Sequence, residues 1–283
     1  MEPIQLIAAA LGEPIQRLSS LQGGAIARVY RVRTESGRDL AVKLARSDAP
    51  GASFVDEAEM LGRIGSHAPT PRVVAASDRV LAMEYVEHGG GSTPEGERGL
   101  AEMVARIHSE RGERCGYNAP TVIGRVRFER GWNDDWASYY AESRLGAVVR
   151  MASERGLVST GFLAMAYRLI GGFGSLIGDA SGPRLVHGDL WAGNVLWRGG
   201  HPVALIDPLC VYADPECELA FIDLMGGVSR EFWDRYAALR PIRDGFWETR
   251  VHAYQVVPLL IHEILFGSGY GARAQGAMER ALG

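Results

Sequence analysis

The chain is predicted to adopt an α+β fold in two lobes, a small antiparallel sheet carrying one helix and a larger, mainly helical part with an embedded hairpin. Three observations predict it. Period-two alternation dominates the first eighty-odd residues, with one helical stretch set among the strands. A glycine-rich polar segment, HGGGSTPEGERG (88–99), follows and reads as a linker. Beyond it the apolar residues recur at helical spacing, broken by a β-type island near 184–208. The expected division is residues 1–86 for the small lobe and 87–283 for the large one.

Residues 1–16 read as a short amphipathic helix closed near Gly12 and Pro14. IARVYRVRT (26–34) and RDLAVKLA (38–45) alternate around Glu35-Ser36-Gly37, the pattern of a β-hairpin. In SFVDEAEMLGRIG (53–65), Phe54, Ala58, Leu61 and Ile64 fall on one helical face and Gly65 ends it. Pro69 and Pro71 mark a loop, and VVAASD and RVLAMEYVE supply two more strands. In the large lobe, helices are predicted over 100–110, 134–156 and 160–178. The β-type island is RLVHGDL, NVLWRGG and HPVALIDP. Further helices run from CELAFIDLMGG through FWDRYAALR to FWETRVHAYQVVPLLIHEILFGSG. Trp136 and Tyr139 sit at helical spacing and are expected in the core of the large lobe.

Composition narrows the class. The 283 residues are 47% hydrophobic and 23% charged, ordinary for a globular protein. A formal net charge of −4 gives no general attraction to nucleic acid or to an anionic membrane. Cys115, Cys210 and Cys217 fit no zinc spacing and cannot all pair within one chain, which suits reduced thiols in a cytoplasmic protein. The N-terminal segment lacks a basic stretch and is broken by Gly12 and Pro14, so a signal peptide is not expected. The nearest approach to a membrane span is VVPLLIHEILF (256–266), which is short and carries His262 and Glu263.

The chemistry concentrates in LVHGDLWAGNVLW (185–197) and ALIDP (204–208). Asp189 follows His187 by two residues and precedes Asn194 by five, and Asp207 ends the next β-branched run. Singly, each is a common turn residue. In this order they form the catalytic-loop pattern H-x-D-x-x-x-x-N followed by a metal-binding aspartate, the signature of a protein-kinase-like fold. Phosphoryl transfer needs one carboxylate beside the attacking hydroxyl, and Asp189 fits. It also needs oxygen ligands for magnesium, and Asn194 and Asp207 fit.

The small lobe offers partners for a nucleotide. Lys43 lies mid-strand among apolar residues, where an unpaired ammonium is costly to bury. Glu57 on the following helix is the expected anchor, with Glu59 the alternative about 200° around the helix. Gly23 and Gly24 lie between two strands, where backbone amides can approach phosphates. The segment MEYVE (83–87) suits a hinge at which backbone groups of Glu84 and Val86 read adenine.

On these residues the chain resembles the fructosamine/ketosamine 3-kinase family over nearly its full length. The similar segments are HGDLWAGN (187–194), IDPLCVYADPECELAFIDLMGG (206–227), GWNDDWASYYAESRL (131–145) and YQVVPLLIHEILFGSGY (254–270). The resemblance implies an ATP- and magnesium-dependent kinase that phosphorylates the 3-hydroxyl of ketosamines, free or protein-bound, in deglycation. It implies Asp189 as base, Asn194 and Asp207 as magnesium ligands, Lys43 with Glu57 as nucleotide clamp, and Trp191 as an apolar wall against the substrate. His187 and Glu218 are expected to brace the catalytic loop, although Glu218 also reads as a solvated glutamate at a helix start. Two features depart from the family. His262 and Glu263 stand where many relatives carry an Asn-His pair, and Ala25 stands where many carry a polar residue or cysteine.

The alternative is another small-molecule kinase of the same fold, acting on an aminoglycoside, choline or a sugar. A non-catalytic nucleotide-binding pseudokinase is less favoured, because Lys43, Asp189, Asn194 and Asp207 are all present.

Overall fold

The computed structural model describes residues 2–21, 27–46, 53–180 and 182–283. Five strands, β1 (Ile15–Leu21), β2 (Ala27–Thr34), β3 (Asp39–Ala45), β4 (Val73–Ala76) and β5 (Val80–Glu84), form an antiparallel sheet in the order β1-β2-β3-β5-β4. Because side chains alternate across a strand, β3 sends Leu40, Val42 and Leu44 to one face and Ala41, Lys43 and Ala45 to the other. The first face packs on Ile7 of helix α1 (Pro3–Leu11). The second packs on Phe54 and Leu61 of helix α2 (Phe54–Gly65). The sheet is thus a partition between two helices, and the same alternation that builds its cores aims Lys43 at α2.

Helix α2 begins where Ser53 accepts a hydrogen bond from the Asp56 amide, and Asp56 and Glu57 occupy its positive end. Its far end is tied to the rest of the chain. Arg63 donates to the Tyr212 hydroxyl at 2.8 Å, while His67 and Arg63 both meet Glu110. The orientation of α2 is therefore set from both ends.

The helical part holds the largest core. It is built from α3 (Pro94–Ile107), α4 (Trp136–Tyr140), a π-helical turn (Ala141–Gly146), α5 (Ala147–Glu154), α6 (Thr160–Ile177), α7 (Glu216–Met225), α8 (Arg230–Leu239), α9 (Val251–Phe266) and α10 (Tyr270–Leu282). Trp136 and Tyr139 are buried in it, as their spacing predicts. Strands β6 (Cys115–Tyr117), β7 (Thr121–Ile123), β8 (Val126–Phe128), β9 (Gly131–Asn133) and β10 (Arg184–Val186) precede the hairpin β11 (Val195–Arg198) and β12 (His201–Leu205), and β13 (Val211–Ala213) follows it. The orders are β10-β13-β6-β9, β7-β8 and β11-β12.

Four expectations are corrected. Residues 88–99 are not linker throughout, since α3 starts at Pro94 with Thr93 capping the Gly96 amide. The glycine that suggested a linker serves packing instead: a Cβ on Gly96 would lie 1.8 Å from the Gly200 carbonyl oxygen. Strands β6 to β9 escaped notice because each is three residues long, too short for periodicity to register. Helix α10 was missed because its apolar face is made largely of alanines, Ala274, Ala277 and Ala281, with Met278. Among the described residues, helix α6, not 256–266, is the helix long and apolar enough to cross a membrane, with mean hydropathy 1.3 over 18 residues. Its Phe162, Ala166, Leu169, Phe173 and Ile177 are packed into the helical core.

Candidate active site

Lys43 is the joint of the site. Its Nζ lies 2.6 Å from Glu57 Oε1 and 2.6 Å from Asp207 Oδ1, so one ammonium bridges the sheet, α2 and the segment after β12. The side chain is 10% exposed. Burial works against its charge, but the Asp207 and Glu57 carboxylates outweigh that and hold its pKa above the ordinary lysine value. Burial raises the pKa of Glu57 despite the facing ammonium. Of the two glutamates considered for this pairing, Glu57 makes it and Glu59 lies exposed.

Asp207 has φ 57°, the left-handed region that non-glycine residues seldom occupy. Such a backbone costs of order 1–3 kcal/mol and persists where its surroundings fix it. Here the Ile206 amide donates to the Asn194 carbonyl at 3.0 Å, and the carboxylate is held by Lys43. Asn194 enters β11 and Asp207 follows β12, so pairing of Val195 with Leu205 brings the two ends of the hairpin together.

Asp189 sits at the start of this arrangement. Asn194 Nδ2 donates to its carbonyl at 2.7 Å and to Oδ2 at 3.0 Å. These bonds orient the carboxylate and leave the Asn194 amide oxygen free of them. Burial, reinforced by Asp207 and opposed by the Asn194 hydrogen bond, pushes the Asp189 pKa up to about 7. A general base is most effective when its pKa lies near the working pH.

The loop is braced from behind. Glu218, in the first turn of α7, is 2% exposed and accepts from the Gly188 amide at 2.6 Å. Its other oxygen meets His108 Nε2 at 2.8 Å, and His108 Nδ1 meets the Tyr236 hydroxyl at 2.7 Å. Burial opposes ionisation of Glu218, yet His108 and the Gly188 amide keep its pKa below the usual carboxylate value. A solvated helix-start glutamate is excluded. His187 is fully buried, and its Nδ1 accepts weakly from the Asp189 amide at 3.4 Å. Burial depresses its pKa, so it is neutral. Sequence reasoning missed His108 and Tyr236. Each lies among apolar residues at helical spacing, and only the fold shows that they meet Glu218.

Trp191 is 41% exposed, two residues beyond Asp189. Its ring lies over Gly193, where a Cβ would come 2.4 Å from Cη2, so glycine there seats the indole. At the proposed hinge, two of the four backbone groups are already bonded. The Glu84 amide donates to the Arg72 carbonyl at 2.9 Å, and His88 Nδ1 donates to the Val86 carbonyl at 2.8 Å. The Val86 amide has no protein partner among the described residues. Gly23 and Gly24 lie outside the described residues.

No three His, Cys, Asp or Glu side chains converge as a metal site among the described residues. Magnesium does not need such a set, since it commonly takes one or two protein oxygens and completes its shell with water and phosphate. One carboxylate and one carboxamide, Asp207 and Asn194, suit that hard cation.

A lysine–glutamate pair on a five-stranded sheet, set against a D-x-x-x-x-N loop and an aspartate closing the next hairpin, defines a kinase of protein-kinase-like fold. Comparison with known proteins narrows the class. The chain belongs to the fructosamine kinase family, whose model matches residues 1–283. A probable ketoamine kinase of Staphylococcus aureus is 30% identical over 277 residues, covering 95% of this chain and 94% of its own. The chloroplastic protein-ribulosamine 3-kinase of Arabidopsis thaliana is 28% identical, covering 95% and 83%. A crystal structure from Thermobifida fusca, of a protein provisionally named fructosamine-3-kinase, superposes with TM-score 0.90 at 29% identity, covering 99% and 98%.

Proposed function

We propose that the protein transfers the γ-phosphoryl group of ATP to the 3-hydroxyl of ketosamines, of the fructosamine or ribulosamine type, free or attached to protein. The observation that carries the proposal is the pairing of Lys43 with Glu57 and Asp207, beside an Asp189 oriented by Asn194, in a chain of the fructosamine kinase family. Residues 1–86 act as the nucleotide-clamping lobe, and residues 87–283 carry catalysis and substrate.

In this reading the substrate hydroxyl donates a hydrogen bond to Asp189, which orients it and takes its proton as the new P–O bond forms and the bond from the γ-phosphorus to the bridging oxygen breaks, releasing ADP. Lys43, kept in place by Glu57, holds nucleotide phosphates through its ammonium. Asn194 and Asp207 would hold magnesium, which when bound would supply charge neutralisation at the phosphoryl oxygens. Trp191 shields one side of the reacting hydroxyl and offers its face to the sugar–amine. His187 and Glu218 keep the loop rigid, so Asp189 need not be repositioned at each turnover. A phosphate at the 3-position is a better leaving group than hydroxide, so elimination expels inorganic phosphate, and water then hydrolyses the resulting imine to a dicarbonyl sugar and the free amine; the outcome is deglycation. The three free cysteines fit a cytoplasmic setting. The net charge of −4 gives no reason to expect nucleic-acid or membrane binding.

The test is ATP consumption with magnesium across fructosyl- and ribulosyl-lysine, glycated protein, aminoglycosides, choline and free sugars. Turnover restricted to the ketosamines is expected. Activity confined to an aminoglycoside, choline or a free sugar would move the protein to a different substrate class.

A further inference from the structure

Arg31 lies outside every motif of the catalytic loop, yet its side chain meets Asp39, Glu87 and Tyr85 at once. It projects from β2 on the face that carries Lys43. Directly opposed residues of antiparallel strands share a face, and the register pairs Val29 with Lys43 and Arg31 with Ala41. Its guanidinium makes two bonds to Asp39 of β3, Nε to Oδ1 at 3.0 Å and Nη2 to Oδ2 at 2.6 Å. Nη2 also reaches Glu87 Oε1 at 2.5 Å, and the group lies 3.8 Å over the centre of the Tyr85 ring. Tyr85 is tied a second time, its amide donating to the Asp39 carbonyl at 3.0 Å.

These contacts flank one position. Tyr85 and Glu87 are the neighbours of Val86, whose amide has no protein partner among the described residues. An ordinary exposed ion pair contributes little. A planar fork that binds a carboxylate in bidentate fashion and stacks on an aromatic ring fixes geometry as well as charge, and a lysine cannot reproduce it.

We propose that Arg31 is a positioning residue of the nucleotide site, clasping the sheet to the 85–87 segment so that the Val86 amide is held ready for a purine ring. The inference rests on the ATP-dependent reading of the site but not on the identity of the phosphate acceptor. The clasp acts on the base and not on the phosphates, which fall to Lys43 at the other end of the same face.

The experiment is calorimetric titration of the parent, Arg31→Ala and Arg31→Lys with ATP, adenosine and inorganic tripolyphosphate, alongside steady-state kinetics. Arg31→Ala should weaken adenosine and ATP by about fivefold and leave tripolyphosphate unchanged. Arg31→Lys should recover only part of the loss, and KM for ATP should rise while kcat stays within about twofold. Glu87→Ala, at a more exposed partner, should weaken adenosine to a smaller degree and serves if Arg31→Ala does not fold. Adenosine affinity unchanged in these variants, or tripolyphosphate lost in step with adenosine, would overturn the proposal. A parent that binds adenosine and ATP but phosphorylates no ketosamine would contradict the proposed substrate and leave the role of Arg31 standing. A parent that binds neither would refute both.

Discussion

At the scale of single residues, the side chains of the site carry separable roles. Asp189→Asn keeps the shape and the bonds from Asn194 but removes the base. It should lower kcat by about 10²- to 10⁴-fold while ATP still binds, which a kinetic assay paired with a binding titration would read. Equal kcat in variant and parent would remove Asp189 from the chemistry. Trp191→Ala should raise KM for the ketosamine and leave KM for ATP alone. A rise in the ATP value instead would place the indole on the nucleotide side. Most of these residues were legible in the sequence, because Asp189, Asn194 and Asp207 are spaced by the geometry of one loop and one hairpin. Glu57 is the expected partner of Lys43 with Glu59 as the alternative, and the position of α2 over Lys43 decides for Glu57.

At the scale of elements, what matters is how the catalytic loop and α2 are fixed. The loop is held by α7 through Glu218, and Glu218 is held by α3 and α8 through His108 and Tyr236. Displacing a reacting group by about 1 Å can cost about 10²-fold in rate. Glu218→Ala, which frees the Gly188 amide and leaves His108 without its acceptor, should therefore lower kcat by about that factor. KM for ATP should change little, because Lys43 and Glu57 are untouched. A variant that lost only thermal stability would make Glu218 a packing residue. This layer was only half legible. A glutamate in the first turn of a helix looks the same in sequence whether it faces solvent or a buried histidine, and His108 and Tyr236 are 128 residues apart. The glycine at 96 misled for a related reason. Composition reports that a glycine is present, but not whether it frees the backbone or lets α3 approach the hairpin turn at Gly200.

At the scale of the whole molecule, the helical part is locked by an ion network around the buried carboxylates of Asp214 and Glu216. Glu216 receives Arg243 and Arg250, and Arg243 also meets Asp214. Removing one partner of such a buried pair typically costs about 3–5 kcal/mol, so Glu216→Gln should be destabilised on that order in denaturant melts at pH 7. The two arginines hold the Glu216 pKa below its ordinary 4.5 even though burial pushes the other way. A depressed carboxylate contributes stability above the unfolded value and loses it as pH falls through the folded one. The gap between parent and variant should therefore be full above about pH 5 and close progressively in more acid solution. A gap that persisted unchanged at pH 2 would show that the loss came from packing. The two-lobe architecture itself was readable from the switch between period-two and helical patterning, whereas the short strands β6 to β9 were not, because three residues are too few for an alternation to register. Whether the protein phosphorylates a ketosamine at its 3-hydroxyl is read from the product. Phosphorus–proton correlation NMR of fructosyl-lysine incubated with ATP, magnesium and the protein should show phosphate coupled to the proton on C3, absent with Asp189→Asn. Phosphate on another carbon, or only inorganic phosphate released from ATP, would contradict phosphorylation at that hydroxyl.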